Sequence, residues 1–182
     1  MQNFIYNTPT KIFFGENQED NLAKILLSYN VKKVLLHYGM SSIKKNGLYD
    51  KVVEALKTAK IAFCELGGVS ANPKLSLVLK GIEIAKKENV DLILAVGGGS
   101  VIDSAKSIAV GSKVNFNPWL FQIKEKTPSE HLPVGVILTI AAAGSEMSNS
   151  CVITNDETKE KRGFTSECNR PLFAIMNPKL TY

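Results

Sequence analysis

A run of small residues between an apolar segment and a helical one has the composition of a phosphate-binding turn. Residues 91–96 form a short apolar run, and residues 101–109 have apolar side chains at helical spacing. Between them stand Gly97, Gly98, Gly99 and Ser100. Glycines let the backbone approach a ligand closely, and the first N–H groups of the following helix face that ligand with the positive end of the helix dipole. We therefore predict that this turn binds a phosphate group.

Two common nucleotide-binding motifs are absent from the sequence. The G-x-G-x-x-G fingerprint would need a glycine where Ile102 stands and an acidic residue at the end of a second strand. The G-x-x-x-x-G-K-[ST] loop of ATPases and GTPases does not occur either. The sequence thus argues against an ATPase or GTPase, and the neighbouring segments must define the ligand.

Helical and strand-like segments alternate along the chain. Apolar residues at helical spacing predict three helices, at 16–29, 48–56 and 75–85. Short apolar runs predict strands at 34–37, 61–64 and 91–96. Asn72 and Pro73 have the residue types of an N-cap and a first helical residue for the third helix. The alternation predicts an α/β fold, with a doubly wound, mostly parallel, Rossmann-like sheet flanked by helices, as one domain over residues 1–182.

Further strands are expected near both ends of the chain. In the second half, residues 134–138, 151–154 and 172–176 have the pattern of strands. Near the N-terminus, residues 4–6 and 11–14 predict a hairpin at the edge of the sheet, turning at Thr8 and Pro9. An exposed edge strand can pair with the same strand of a second copy, so we expect a homodimer through these N-terminal edge strands.

Three loops at the predicted carboxyl ends of strands are rich in glycine and small hydroxyl residues. They comprise residues 38–42, 97–100 and 139–145. Ligands of open α/β sheets collect at this end of the strands, near the point where the crossover direction switches. Three such loops together suit an extended ligand with several phosphate or hydroxyl groups. The sequence therefore predicts a nucleotide site.

Composition narrows the class of protein. The 182 residues are 45% hydrophobic and 21% charged, as in ordinary globular proteins. The net charge of +5 comes from basic residues interspersed with glutamates, so no nucleic-acid partner is expected. No apolar run is long enough to cross a membrane, and the first residues do not resemble a signal peptide. Three widely spaced cysteines predict reduced thiols, and we expect a cytoplasmic protein with no membrane partner.

The sequence contains no residue pattern typical of a nucleophile triad or a metal site. His37 ends a predicted strand and His131 lies in a proline-flanked loop. Neither has a second histidine at i+4 or a carboxylate at ligand spacing, so we predict structural or solvated roles for both. No catalytic or metal-binding residue is therefore predicted within these 182 residues.

The order of the motifs resembles the iron-containing (metal-dependent, group III) alcohol dehydrogenases over the whole chain. The resemblance is carried by residues 97–106 (GGGSVIDSAK), by residues 138–146 (LTIAAAGSE), by Lys161 and by the pair Asn177-Pro178. It is strongest toward the NADPH-dependent butanol dehydrogenases and aldehyde reductases. The chain departs from the family pattern at three positions. These are Ala143, where relatives often carry Thr, Ser148, where Asn is common, and Asn177, where Asp often precedes the proline.

The resemblance implies a set of cofactor contacts. The glycine turn would wrap the pyrophosphate, and Asp103 would reach back toward the cofactor from the first turn of its helix. Positions that touch ribose, nicotinamide or phosphate in the family correspond to Asn72, Thr139, Ser148 and Lys161.

The loop after the predicted strand 34–37 affects which nicotinamide cofactor is preferred. In relatives that use NAD, an aspartate at the position of Gly39 binds the ribose hydroxyls of the adenosine. Gly39 leaves room for a 2′-phosphate, with Ser41 and Ser42 as hydroxyl donors and Lys44 as a nearby positive charge. We therefore expect NADPH to be preferred over NADH.

The family also implies what lies outside this sequence. Its members have a C-terminal helical domain that supplies one Asp and three His residues to an iron or zinc ion, and the sequence stops at Tyr182, before any such residues. We expect the cofactor-binding half of an enzyme that interconverts primary alcohols and aldehydes, able to bind nucleotide but not to turn over substrate alone. The alternatives are a glycerol dehydrogenase-like or dehydroquinate synthase-like enzyme, and a stand-alone nucleotide-binding module from a truncated gene.

Overall fold

A six-stranded sheet forms the centre of the computed structural model, which describes residue 3 and residues 7–181. The strands stand in the order β1-β8-β5-β4-β2-β3, and every neighbouring pair is parallel. Their bounds are β1 Lys11–Phe14, β2 Lys33–Tyr38, β3 Ala62–Leu66, β4 Leu92–Gly97, β5 Val134–Leu138 and β8 Phe173–Met176. Consecutive parallel strands need crossover connections, and the helices supply most of them.

Helices cover both faces of the sheet and create two hydrophobic cores. The α-helices within the described residues are α1 Leu22–Ser28, α2 Ser42–Lys45, α3 Leu48–Thr58, α4 Leu75–Glu88, α5 Gly99–Gly111 and α6 Trp119–Gln122. One core contains the apolar side chains of α1 and α3, and the other contains those of α4 and α5. This arrangement confirms the predicted doubly wound α/β fold. None of the helices in the described residues is long and apolar enough to span a membrane.

Strand β4 lies near the middle of the sheet and is buried along its whole length. All six of its residues are buried, as are all five of β5. A strand covered on both faces needs a continuous apolar run rather than an alternating pattern. A continuous apolar run is the feature that predicted β4 from the sequence.

A separate antiparallel ribbon packs on α5. It consists of β6, Ser150–Thr154, and β7, Lys161–Thr165. The sequence predicted β6 but not β7, because only Phe164 of the β7 residues is buried and the strand offers no apolar run. In the described part of the chain the two strands form a sheet of their own, so they extend the second core without joining the main sheet.

Two local predictions are corrected by the structure. The predicted helix over 16–29 begins as a short 3-10 turn at Gln18–Asn21, and α1 follows it, because Asn17 has a left-handed φ of 57°. Asn72 is not the N-cap of α4, since its φ is 58° and α4 begins at Leu75, after Lys74. The Asn72 side chain is instead hydrogen-bonded to Lys161, which draws it away from the helix terminus.

The predicted N-terminal hairpin lies partly outside the described residues. Its second strand is observed as β1, which occupies one edge of the sheet and pairs with β8 in parallel. Its first strand, residues 4–6, falls among the residues that the structure does not describe.

A buried carboxylate joins the 3-10 turn to the segment after β8. Glu19 is 6% exposed and Asn177 is 2% exposed. The Asn177 amide donates to both oxygens of Glu19, at 3.1 and 2.9 Å, and Lys51 donates to the same carboxylate at 3.4 Å. A buried carboxylate needs hydrogen-bond donors of this kind. An asparagine at position 177 supplies them to Glu19, whereas an aspartate there could not.

Asn177→Asp should destabilise the fold, because it removes the amide donor and places two carboxyl groups against each other. We expect a loss of about 2 kcal/mol in the free energy of unfolding, measured by chemical denaturation at pH 7. Adding Glu19→Gln restores a donor and an acceptor and should recover most of that loss. The exposed Asn7→Asp is the control. Equal effects of Asn7→Asp and Asn177→Asp would contradict this account.

Candidate functional site

The carboxyl ends of three neighbouring strands bring the predicted loops together. Strand β4 lies between β2 and β5, and their registers place Tyr38 opposite Val96 and Gly97 opposite Leu138. The chain leaves β2 toward β3 and later leaves β4 toward β5, so the crossover direction switches between β2 and β4. Ligands of open α/β sheets bind at such a switch point.

A cavity of about 500 Å³ opens at this switch point. Eight of the twelve residues predicted to bind the cofactor line it: Gly39, Ser41, Ser42, Gly97, Gly98, Gly99, Ser100 and Thr139. Lining residues that were not among the predicted cofactor contacts include Met40, Lys45, Val69, Ser70, Ala71 and Ile140. The segment from Val69 to Ala71 could have been found, because it follows β3 at the same edge of the sheet.

The glycine turn is shaped by close contacts that leave little room for larger side chains. A Cβ atom on Gly97 would lie 2.5 Å from a methyl group of Val101, and one on Gly99 would lie 3.1 Å from the Cβ of Ala143. The Gly98 carbonyl already accepts the N–H groups of Val101 and Ile102, at 3.0 and 3.2 Å. The first turn of α5 therefore lies beside the cavity, where its N–H groups that are not bonded within the helix can donate to a ligand.

The other four predicted residues lie together at a neighbouring place, outside the lining of the cavity: Asn72, Asp103, Ser148 and Lys161. Lys161, on β7, donates to Asn72 Oδ1 at 2.6 Å. This bond connects the β6–β7 ribbon to the loop that leads into α4. A backbone bridge between Lys74 and Thr154 makes a second connection.

Asp103 holds the ribbon against helix α5. Its Oδ2 atom accepts the Val152 N–H at 3.1 Å, and its backbone carbonyl accepts the Cys151 thiol at 3.2 Å. Its Oδ1 atom is buried without a hydrogen-bond partner among the described residues. Burial raises the pKa of this carboxyl group, and the nearby Lys106 opposes that shift.

Lys106 is fully buried, and the sequence analysis did not single it out. Its ammonium group donates to the Ser148 carbonyl at 2.9 Å, to Ser148 Oγ at 3.2 Å and to the Ser150 carbonyl at 3.0 Å. Burial lowers its pKa, whereas Asp103 raises it. The signal in the sequence is a single lysine within the otherwise uncharged stretch from residue 104 to residue 111.

His37 is a fully buried connection between β2, β3 and α5. Its Nδ1 atom lies 2.7 Å from the Leu66 carbonyl, and its Nε2 atom lies 2.8 Å from Ser104 Oγ. Because a carbonyl only accepts, Nδ1 carries the proton and Nε2 accepts from the serine hydroxyl. Burial lowers the pKa of this imidazole to about 4, so it is neutral at pH 7. The predicted structural role of His37 agrees with these contacts.

Two adjacent lysines after β2 have different surroundings. Lys45 lines the cavity, and it is the only charged residue that the structure describes in the lining. The Lys44 ammonium instead lies over the rings of Tyr38 and Tyr49. From the sequence, Lys44 is the expected positive charge near the ligand, whereas the structure places Lys45 at the cavity.

No metal site is found in the part of the chain that the structure describes. Among residue 3 and residues 7–181, no three His, Cys, Asp or Glu residues are grouped closely enough to hold an ion. The donor sets that iron and zinc require are therefore not assembled from these residues.

The fold and the glycine turn at its switch point define an open, doubly wound α/β domain with a ligand cavity at its carboxyl edge. The family of iron-containing alcohol dehydrogenases matches residues 9–178 of this chain. The chain belongs to that family, which confirms the resemblance inferred from the motifs.

The relatives span both nicotinamide cofactors. A probable NADH-dependent butanol dehydrogenase 1 of Bacillus subtilis is 49% identical over 182 residues, which cover 100% of this chain and 47% of the relative. The NADPH-dependent aldehyde reductase YqhD of Escherichia coli is 36% identical over 185 residues, covering 100% of this chain and 47% of that protein. The chain thus spans about half the length of the curated relatives that it matches.

The fold agrees with a solved structure of the same family. The NADH-dependent butanol dehydrogenase A of Thermotoga maritima superposes with a TM-score of 0.97 at 43% identity, over 99% of this chain and 45% of that one. The matched part of that larger protein has the same sheet and helices as this chain.

Protonation of His37 should destabilise the protein as the pH falls. Its pKa in the folded state, about 4, lies below the ordinary value of 6.5, so the unfolded chain binds more protons between these two values. Stability is then complete above pH 6.5 and declines toward pH 4. The difference between the two pKa values of His37 corresponds to a loss of about 3 kcal/mol in the free energy of unfolding.

The measurement is the free energy of unfolding at pH 7 and pH 4 for the wild type and His37→Gln. The variant should lack most of this pH-dependent loss. His131→Gln should retain the part of the loss that comes from His37, although partial burial and the nearby Lys113 also lower the pKa of His131. If the wild type and His37→Gln lose the same free energy between the two pH values, His37 is not the titrating group.

Proposed function

We propose that the protein carrying this chain transfers hydride between NADPH and a primary alcohol or aldehyde, and that this chain supplies the cofactor-binding half. The observation that supports this most is the cavity at the switch point between β2 and β4. Nine of its sixteen described lining residues are glycine, serine or threonine, six are apolar, and the one charged residue among them is Lys45. Such a cavity suits an extended ligand with negative charge.

In this proposal the pyrophosphate lies against the start of α5. The turn from Gly97 to Ser100 offers backbone N–H groups, and the helix adds the positive end of its dipole. A larger residue in place of Gly99 would press on Ala143, whose Cβ would lie 3.1 Å from the added Cβ. Thr139, whose N–H donates to the Gly97 carbonyl at 3.1 Å, forms the adjoining wall.

The remaining proposed cofactor contacts come from the neighbouring group around the β6–β7 ribbon. Lys161 uses one of its three N–H groups on Asn72, which leaves two for a phosphate or ribose oxygen. Ser148 Oγ accepts from Lys106, so its own proton remains free to be donated to a ligand. We propose that Asp103 acts chiefly through Val152, by fixing the ribbon that carries these groups.

The preference for NADPH rests on the charge of the cavity. No carboxylate stands among the described residues that line it, so nothing there would repel a 2′-phosphate or bind the ribose diol of NADH as an acid would. The names of the relatives are divided between NADH-dependent and NADPH-dependent proteins. The charge of the lining therefore supports the proposal more directly than the names do.

The family name implies iron, but the described residues do not provide its ligands. In a complete enzyme such an ion would polarise the alcohol or carbonyl oxygen, while the nicotinamide exchanges the hydride. The part proposed for this chain is to bind and orient the cofactor.

The three cysteines are free thiols, which agrees with a reducing compartment. We therefore propose that the protein is cytoplasmic.

We also propose that two copies pair through the edge strand β1. Among the described residues it lies at the edge of the sheet, next to β8, and its last residue, Phe14, is 68% exposed. Phe14→Lys should shift a dimer toward the monomer mass in light scattering, because the charge would be buried in the pairing surface. Leu27→Lys, at another exposed apolar residue, is the control. A monomeric wild type would contradict the proposal.

Gly39→Asp should reverse the cofactor preference. A Cβ at this position would lie 3.6 Å from the Val69 carbonyl oxygen, an ordinary contact, so the side chain can be accommodated. The added carboxylate should repel a 2′-phosphate and weaken NADPH binding by about tenfold or more, because a like-charge contact of this kind costs more than about 1.4 kcal/mol. NADH binding should stay the same or tighten.

The dissociation constants of both cofactors can be measured by fluorescence for the wild type and the variant. Gly39→Asn, which adds a side chain of the same size without the charge, is the control. A wild type that binds NADH as tightly as NADPH, or more tightly, would refute the proposed preference.

A further inference from the structure

The two outer edges of the β6–β7 ribbon differ in how their backbone groups are bonded. On β6, the Val152 N–H donates to the Asp103 carboxylate at 3.1 Å, and the Ser150 carbonyl accepts from Lys106 at 3.0 Å. The Thr154 N–H donates to a backbone carbonyl in the loop before α4 at 2.9 Å. The outer edge of β6 is therefore bonded to the rest of the domain.

The outer edge of β7 is open. Antiparallel strands alternate between residue pairs that exchange hydrogen bonds and pairs that do not. The Asn155 N–H donates to the Glu160 carbonyl, so this pair is of the first kind. Along the register, Lys161, Gly163 and Thr165 are then of the second kind, and their backbone N–H and C=O groups point away from β6. All three residues are exposed, and these groups have no backbone partner among the described residues.

A groove runs beside this open edge. Phe164 of β7, Phe121 of α6 and residues 126–128 line a cavity of about 350 Å³ there. A second cavity, of about 310 Å³, adjoins the first, because Lys124 and Gly163 line both. The groove therefore extends along β7 and offers room for a chain in an extended conformation.

The groove is positively charged. Lys124 and Lys126 line it, and no acidic residue is found in its lining as far as the structure describes the chain. Neither lysine makes an ion pair with another described residue. Arg162 lies at the same edge, but its guanidinium is already paired with Glu160 at 2.8 Å. Two unpaired cations beside an open strand edge suit an extended segment that carries acidic side chains.

The same charges argue against a second copy of this chain at that edge. Pairing two copies through β7 would bring Lys124 and Lys126 of both to one seam, where like charges repel each other. Charged side chains are a common way in which proteins prevent such edge-to-edge pairing. The net charge of +5 adds to this repulsion, whereas it attracts an acidic partner.

We propose that β7 accepts an extended acidic segment of a partner protein as a third strand of the ribbon. The backbone of the segment pairs with Gly163 and Thr165, and its acidic side chains contact Lys124 and Lys126. The proposed cofactor cavity shares no lining residue with this groove, so the proposal does not depend on the proposed function.

The test measures the binding of fluorescent peptides to the full protein by fluorescence anisotropy. The acidic probe is a short peptide of alternating glutamate and valine, and the basic control has lysine in place of glutamate. A third peptide has the acidic sequence with every peptide nitrogen methylated, so it keeps the charge but has no N–H groups for a strand ladder. The wild type should bind the acidic peptide and neither of the other two.

Two sets of variants separate charge from backbone pairing. Combining Lys124→Gln with Lys126→Gln should weaken the acidic peptide by about fivefold, because two exposed ion pairs are lost. The matched control combines Lys24→Gln with Lys57→Gln, at exposed lysines of α1 and α3 on the other side of the sheet, and should change the affinity by less than about twofold.

Thr165→Pro removes one outward N–H group of β7, and an edge strand tolerates proline where the missing N–H faces solvent. It should weaken the acidic peptide by about fivefold or more, whereas Thr165→Ala, which keeps the N–H, should not. Thermal unfolding shows whether each variant is folded. The methylated peptide tests the same backbone pairing on the unchanged protein.

The proposal is overturned if the methylated peptide binds as tightly as the acidic one, since charge alone then accounts for the binding. It is also overturned if the wild type binds no acidic peptide, or if Thr165→Pro remains folded and keeps the full affinity. An oligothymidylate of equal charge that binds more tightly than the acidic peptide would assign the groove to nucleic acid instead, against the proposal.

Discussion

The parallel pairing of β4 with β2 on one side and β5 on the other is the constraint on which the site depends. This register brings the ends of three strands to one edge, so that Gly39, Gly97 and Thr139 begin their loops at the same level. Burial of β4 along its whole length fixes that register, because a shift would expose apolar side chains and leave backbone groups unpaired. Helix α5 then starts directly at the cavity.

Buried polar groups fix the positions of α5 and the β6–β7 ribbon relative to the parallel sheet. His37 connects α5 to β2 and β3, while Asp103 and Lys106 connect the same helix to the ribbon. Burying such groups is costly unless hydrogen bonds compensate, and almost all of these atoms have partners. The Oδ1 atom of Asp103 is the exception within the described residues. The helix that begins at the proposed pyrophosphate site is thus fixed by specific bonds as well as by packing.

Local patterns predicted most of the fold and half of the residues that line the cavity. The glycine turn, the apolar run of β4 and the loop at Gly39 could be recognised because each depends on residue types within one short segment. The cap at Asn72 was predicted wrongly, since its side chain bonds to Lys161, which is 89 residues away. The placement of Lys45 rather than Lys44 at the cavity could not be predicted either, because Lys44 is held over Tyr38 and Tyr49, which meet Glu65 only in three dimensions.

The central claim is that the cavity at the ends of β2, β4 and β5 is the cofactor site, and NMR of the backbone amides during titration with NADPH tests it most directly. The account predicts that the largest chemical-shift changes occur at residues 39–45, 97–101 and 139–140. Unchanged amides in those segments at saturating NADPH, or largest changes at the separate cavity lined by Phe121, Lys126 and Phe164, would contradict it.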